Sequence, residues 1–119
     1  MAKILVHLAT GPENPTRAAL AFLVARSAVS EGHDVRMFLA GDGVQLARRA
    51  TAEATQGIGT GSLAEHWLAL AEAGVPIAPS GMSSKARGIA VEDALGPVEL
   101  APPESLVDSA LWADRTFVY

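Results

Sequence analysis

The stretch Lys3-Ile4-Leu5-Val6-His7-Leu8-Ala9-Thr10-Gly11-Pro12-Glu13-Asn14-Pro15 decides the fold. Its first seven residues are nearly continuous apolar sequence, as expected of a parallel strand buried on both faces. Thr10 to Asn14 reads as a turn. Asn14 is a good N-cap, and Pro15 fits the first helical position, where its missing N–H does no harm. The helix runs to about Glu31, and Gly32 supplies the left-handed residue after it. Apolar residues cover most of its circumference, so it is expected to be heavily packed. Asp34-Val35-Arg36-Met37-Phe38-Leu39-Ala40 is the second strand.

Outward from this unit the alternation continues. Gly41-Asp42-Gly43 is a turn by composition, and Val44 to about Thr51 a modest helix. Thr55 to Gly61 is rich in glycine and threonine and reads as a mobile loop. Ser62-Leu63-Ala64-Glu65 is a capping box opening a helix with Leu63, Trp67 and Leu70 on one stripe. Val75-Pro76-Ile77-Ala78-Pro79 is a short third strand whose prolines remove two ladder donors, which makes it an imperfect strand or one near an edge. Ile89 to Leu95 reads as helix, Val98-Glu99-Leu100-Ala101 as a fourth strand, Pro102 to Trp112 as a last helix and Arg115 to Tyr119 as a terminal strand. Alternating strands and helices place the chain in the α/β class: a three-layer α/β/α domain over residues 1–119, with a mostly parallel sheet of about five strands.

Composition narrows the function. The chain has 119 residues, no cysteine and a formal charge of −4. Disulfides, thiolate metal sites and persulfide chemistry are therefore excluded. The acidic balance argues against nucleic acid as a partner. The longest apolar run, Ala18 to Ala25, is too short to span a bilayer. The N-terminus reads as a strand and not as a signal peptide, so a soluble cytoplasmic protein is expected. The charged fraction is only 18%, which suggests that part of the surface faces another subunit.

Loops that follow parallel strands gather at the carboxyl edge of the sheet. Thr10–Asn14, Gly41–Gly43 and Ser80–Ser84 are thus expected to meet there. The candidate ligand-binding residues are Thr10, Glu13, Asn14, Asp42, Ser80, Gly81, Met82, Ser83, Ser84, Lys85 and Arg87. Small residues let backbone amides approach an anion, and Lys85 and Arg87 add positive charge. Two apart on a helix, they cannot both point inward. Arg87 is taken as the inward one, paired with Asp42 or Glu13 when no ligand is present, and Lys85 as a rim charge. Each feature also has a plainer reading: the serines cap a helix, Asp42 makes an Asx turn, and Arg87 makes a structural ion pair. The serines match neither G-x-S-x-G nor S-x-x-K. Gly57-Ile58-Gly59-Thr60-Gly61 follows a helix and lacks the strand that gives a nucleotide loop its meaning. His7, His33 and His66 have no metal spacing. His7 is read as a hydrogen-bonded core histidine, and Trp67 and Trp112 as core or interface aromatics.

The order of several segments resembles the DsrE/DsrF-like (YchN- and Tus-like) family. They are Thr10-Gly11-Pro12-Glu13, Glu31-Gly32-His33-Asp34-Val35, Phe38-Leu39-Ala40-Gly41-Asp42-Gly43-Val44, Glu72-Ala73-Gly74-Val75, Lys85-Ala86-Arg87-Gly88-Ile89 and Leu111-Trp112-Ala113-Asp114-Arg115. The resemblance covers nearly the whole chain. It implies a small α/β/α fold and homo-oligomers, often trimers or hexamers, or hetero-oligomers. Sulfur-carrying members of the family hold a persulfide on a cysteine just before the basic helix, commonly in a C-G-x-C-like segment. Here that segment is Ser80-Gly81-Met82-Ser83, with serine at either cysteine position.

A hydroxyl cannot form a persulfide and stays protonated where a thiol would ionise. The expected function is therefore a non-catalytic oligomeric protein with no cofactor. It would bind a small anion or the carboxylate of a metabolite, or serve a sulfur-relay protein partner as an accessory. The alternative is an enzyme whose transfer chemistry uses serine or histidine.

Overall fold

An apolar run flanked by turn residues makes β1 (Lys3–Leu8), and Asn14 starts α1 (Pro15–Ser30) by accepting the Arg17 N–H on Oδ1 at 3.1 Å. The structure, a computed structural model, describes every residue from Met1 to Tyr119. Gly32 leaves α1 at φ 87° and turns the chain into β2 (Asp34–Leu39). A 3-10 helix over Gly41–Ala47 leads to α2 (Arg49–Ala54) and a two-rung hairpin, β3 (Gln56–Gly57) and β4 (Gly61–Ser62). There follow α3 (Leu63–Glu72), β5 (Ile77–Pro79), α4 (Gly81–Ala86), a 3-10 turn at Val91–Asp93, α5 (Pro103–Trp112) and β6 (Arg115–Val118).

The main sheet has four strands in the order β5-β2-β1-β6, all parallel. Its register sorts the strand residues into two faces. Ile4, Val6 and Leu8 stand beside Val35, Met37 and Leu39, and this face carries the core. Alanines 18, 19, 21, 25 and 28 bring α1 close to it, while Phe22 stacks on Trp67 of α3 at 5.5 Å between ring centroids. Trp67 is fully buried with Leu63 and Leu70, so the expected stripe is the core face of α3. Leu5, His7, Arg36 and Phe38 point to the other face, where α5 lies. The Arg36 guanidinium sits 3.9 Å from the centre of the Trp112 ring. None of the residues of α5 is buried.

Four elements differ from expectation. The region Val44–Thr51 divides into the 3-10 helix and α2, with Arg48 extended between them. The Thr55–Gly61 segment is not a free loop. Its hairpin is tied to α1 by Ile58 N–H on Thr16 Oγ1 at 3.1 Å and Thr60 Oγ1 on the Thr16 carbonyl at 3.1 Å. Ile89–Leu95 forms only the short 3-10 turn.

The fourth difference is the strand expected at Val98–Ala101, which contributes a single bridge between Ser80 and Ala101. Here Ala101 N–H donates to Pro79 and Gly81 N–H donates to Ala101, both at 2.9 Å. The next parallel rung needs an N–H at residue 79 to reach the Glu99 carbonyl. Proline has none, so the ladder stops after one rung.

Candidate functional site

The three loops meet at the carboxyl edge as the topology requires. Glycine lets the first two touch through bare backbone: a Cβ on Gly11 would collide with the Asp42 carbonyl, and one on Gly43 with that of Leu8. The third loop joins through Ser83, whose Oγ accepts the Gly41 N–H at 2.9 Å. Ser80 is the N-cap of α4 and accepts the Ser83 N–H on Oγ at 3.2 Å.

Arg87 closes the cluster. Its Nε and Nη2 both donate to Asp42 Oδ1, at 3.3 and 3.0 Å, and Nη1 donates to the Ser83 carbonyl at 3.1 Å. This is the molecule's one salt bridge. Arg87 thus turns inward to Asp42, and Lys85 lies exposed on the rim. Glu13 is not its partner. Both Glu13 carboxylate oxygens instead accept the Gly11 N–H, at 2.9 and 3.1 Å.

The remaining candidates separate by role. Asn14 is spent on capping α1, Gly81 N–H is bonded to Ala101, and Thr10 is half-buried at the start of the first loop. Met82 stands 70% exposed beside Ser83. Ser84 is fully buried, and its hydroxyl has no partner. Of the amides in these loops, those of Gly11, Gly41, Gly43, Gly81 and Ser83 are engaged by the chain's own side chains and carbonyls. The Met82 N–H has no bond within the chain and, with the cationic side chains, remains for a ligand.

Sequence spacing gave no sign of Arg48. Its Nη2 donates to the Arg87 carbonyl at 2.7 Å and its Nε to Gln45 Oε1 at 3.0 Å. It satisfies a carbonyl at the end of α4 and brings a second guanidinium to the cluster, which is locally positive in an acidic protein. The contact spans 39 positions and becomes visible only once α4 packs on the 3-10 helix.

His7 departs from expectation. Its Nε2 is buried with no hydrogen-bond partner, and its ring meets Phe38 edge-on at 6.1 Å. Burial lowers its pKa below the ordinary 6.5. No serine hydroxyl bonds to it. It sits on the α5 side of the sheet, a neighbour of the loop cluster and not a member.

A profile of the DsrE/DsrF-like family matches residues 2–119. The uncharacterized protein MK0008 of Methanopyrus kandleri is 31% identical over 120 residues, covering 98% of this chain and 93% of that protein. Among solved structures, the ychN protein from E. coli superposes with a TM-score of 0.86 at 21% identity, over 100% of both chains. A protein of unknown function, MTH1491 from Methanobacterium thermoautotrophicum, superposes with a TM-score of 0.78 at 14% identity, again over 100% of both. The last two likenesses speak for the fold, and the profile for descent. The chain belongs to the DsrE/DsrF-like family, as a member without cysteine.

Proposed function

We propose that this chain is a non-catalytic, oligomer-forming accessory protein that binds a small anion or carboxylate at Arg87 and carries no sulfur itself. The observation behind this reading is what the serines do. In the segment where a sulfur carrier would hold its thiol, Ser80 Oγ caps α4 and Ser83 Oγ holds the loop after β2. Neither is bonded to a histidine, so neither has the base that would make it a nucleophile. A neutral hydroxyl beside Arg87 stores no sulfane sulfur. Within a sulfur relay, the role left to such a chain is to dock a partner that brings the cysteine.

The Arg87–Asp42 pair supports the anion. Asp42 is 61% exposed and Arg87 28% exposed, so an outside carboxylate or oxyanion can replace Asp42 without opening the core. An exposed pair of this kind adds at most about 1 kcal/mol to stability. Exchange is therefore energetically accessible.

Titration calorimetry with phosphate, sulfate and short carboxylates tests the reading. Arg87→Ala is expected to weaken binding by about 1.5–3 kcal/mol, the range of charge-assisted hydrogen bonds. Asp42→Asn removes the internal competitor and is expected to tighten it. Absence of millimolar binding, or equal binding by the Arg87→Ala variant, overturns the anion assignment. Treatment with a sulfane-sulfur donor is expected to leave the protein's mass unchanged; a stable adduct of 32 Da per sulfur would overturn the non-carrier assignment.

A further inference from the structure

The ladder that fails at Pro79 leaves a cleft. It lies along the outer edge of β5, away from Arg87, and has a volume of about 650 Å³. One wall is Val75 to Ala78, the other Pro97 to Pro102, with Ala71 and Gly74 at the α3 end and Ser105 at the α5 end. The size lies within the range of about 300–1,000 Å³ that binding sites occupy.

The strand pattern fixes which main-chain groups face this cleft. Met37 N–H donates to the Pro76 carbonyl and Ser80 N–H to the Leu39 carbonyl, so residues 76, 78 and 80 turn their polar groups towards β2. Residues 77 and 79 turn theirs outward. Pro79 has a carbonyl partner in Ala101 and no N–H. Ile77 is left with both an N–H and a carbonyl directed into the cleft, and no group of the 97–102 segment bonds to them. Within the chain these two groups have no partner, and the Ile77 side chain is packed into the core. Pro79 and Pro97 each remove one donor that a continued ladder along the opposite wall would use.

An unpaired donor and acceptor on one strand residue, between apolar walls, match another peptide backbone. The only ionisable side chain in the lining is that of Glu99, so the charge of the cleft complements a cation and repels an anion. We propose that this edge receives an extended segment of a partner protein, about four residues long, as an added strand. Its apolar side chains pack on Val75, Ile77, Val98 and Leu100, its backbone pairs with Ile77, and a lysine or arginine meets Glu99. Two prolines weaken the ladder that would otherwise compete with it for this edge. The inference is independent of the Arg87 site.

The test is a solution NMR titration of the ¹⁵N-labelled full chain with the blocked pentapeptide Ac-VKVTV-NH2, up to about 1 mM, the weak end of specific binding. The Ile77 amide proton is expected to move downfield and to exchange more slowly, with other shifts confined to residues 71–78 and 97–105. N-methylating the central valine removes one main-chain donor and is expected to weaken binding about tenfold. Replacing the lysine by glutamate is expected to weaken it as well. Ala71→Phe fills the α3 end of the cleft and is expected to abolish the shifts. No change at Ile77, equal affinity for the N-methylated peptide, or shifts centred instead on the exposed side chains of α5 would each overturn the proposal. The comparison of peptides keeps it falsifiable even if Ala71→Phe disturbs the fold.

Discussion

His7 shows how one residue carries a consequence that its neighbours in sequence do not announce. Strand alternation points it away from Ile4, Val6 and Leu8 and against Phe38. There its Nε2 is sealed without a partner. Burial disfavours the charged ring and lowers the pKa below 6.5. The unfolded chain therefore binds the proton more readily than the folded one. This contribution to stability is fully present above pH 6.5 and is lost as the pH falls below it through the folded-state pKa. Urea denaturation between pH 7.5 and 5 is expected to show stability falling with pH in this window. His7→Phe is expected to flatten that slope. It should also raise stability at neutral pH by about 1 kcal/mol, because an unsatisfied buried atom is removed and the ring contact kept. An unchanged slope would mean that other groups set the acid response.

At the scale of elements, caps were readable and partners were not. Asn14, Gly32 and Ser62 stand where helix chemistry wants them; Ser62 Oγ accepts the Glu65 N–H at 3.3 Å. The hairpin at 56–62 was hidden because its support comes from Thr16, 42 positions away in the contact with Ile58. Local composition reads as a loop, yet a distant hydroxyl pins it. The same holds for His66, whose Nε2–H donates to the Thr60 carbonyl at 2.8 Å and holds the hairpin from the α3 side. No residue of α5 is buried, and Arg36 holds it through the Trp112 ring and a 3.5 Å bond to Ser109 Oγ. Arg36→Ala is expected to remove about 1 kcal/mol of cation–π stabilisation. Amide exchange is expected to speed up selectively across 103–112 while α1 stays protected. Uniform acceleration would show that α5 is no separate unit.

At the scale of the molecule the two sides of the sheet are unequal. One side is covered by α1 and α3 around the core, and the other by α5 alone. Val107, Leu111 and Val118 are 58%, 81% and 61% exposed, and all of β6 is exposed at the free edge of the sheet. Nothing in the chain covers this surface, and a second copy is the proposed occupant. A specific interface needs about 800 Å² from each partner. Sedimentation at micromolar concentration is expected to give a trimer or hexamer of the 12.3 kDa chain, and Val107→Glu with Leu111→Glu to dissociate it. A wild-type protein that sediments only as the monomer would remove this assignment. No helix is long and apolar enough to cross a membrane.

The sequence by itself determined the class and the frame. Continuous apolar strands, capped helices and their alternation follow from local periodicity and backbone chemistry, so β1, α1, β2 and α3 could be read directly. The meeting of the three loops also followed, because parallel topology leaves them one edge to share. Helix geometry said that Lys85 and Arg87 could not both point inward, and the packed structure turns Arg87 to Asp42. Only the tertiary structure decided which acid Arg87 would face: Asp42 and Glu13 were equally available along the chain, and in the fold the Glu13 carboxylate is taken up by the Gly11 N–H while Asp42 meets the guanidinium. It also decided that His7 has no partner and that Arg48 holds the end of α4. Val98–Ala101 has the composition of a strand, but a strand exists only through its neighbour. The neighbour here is Pro79, and it has no hydrogen to give.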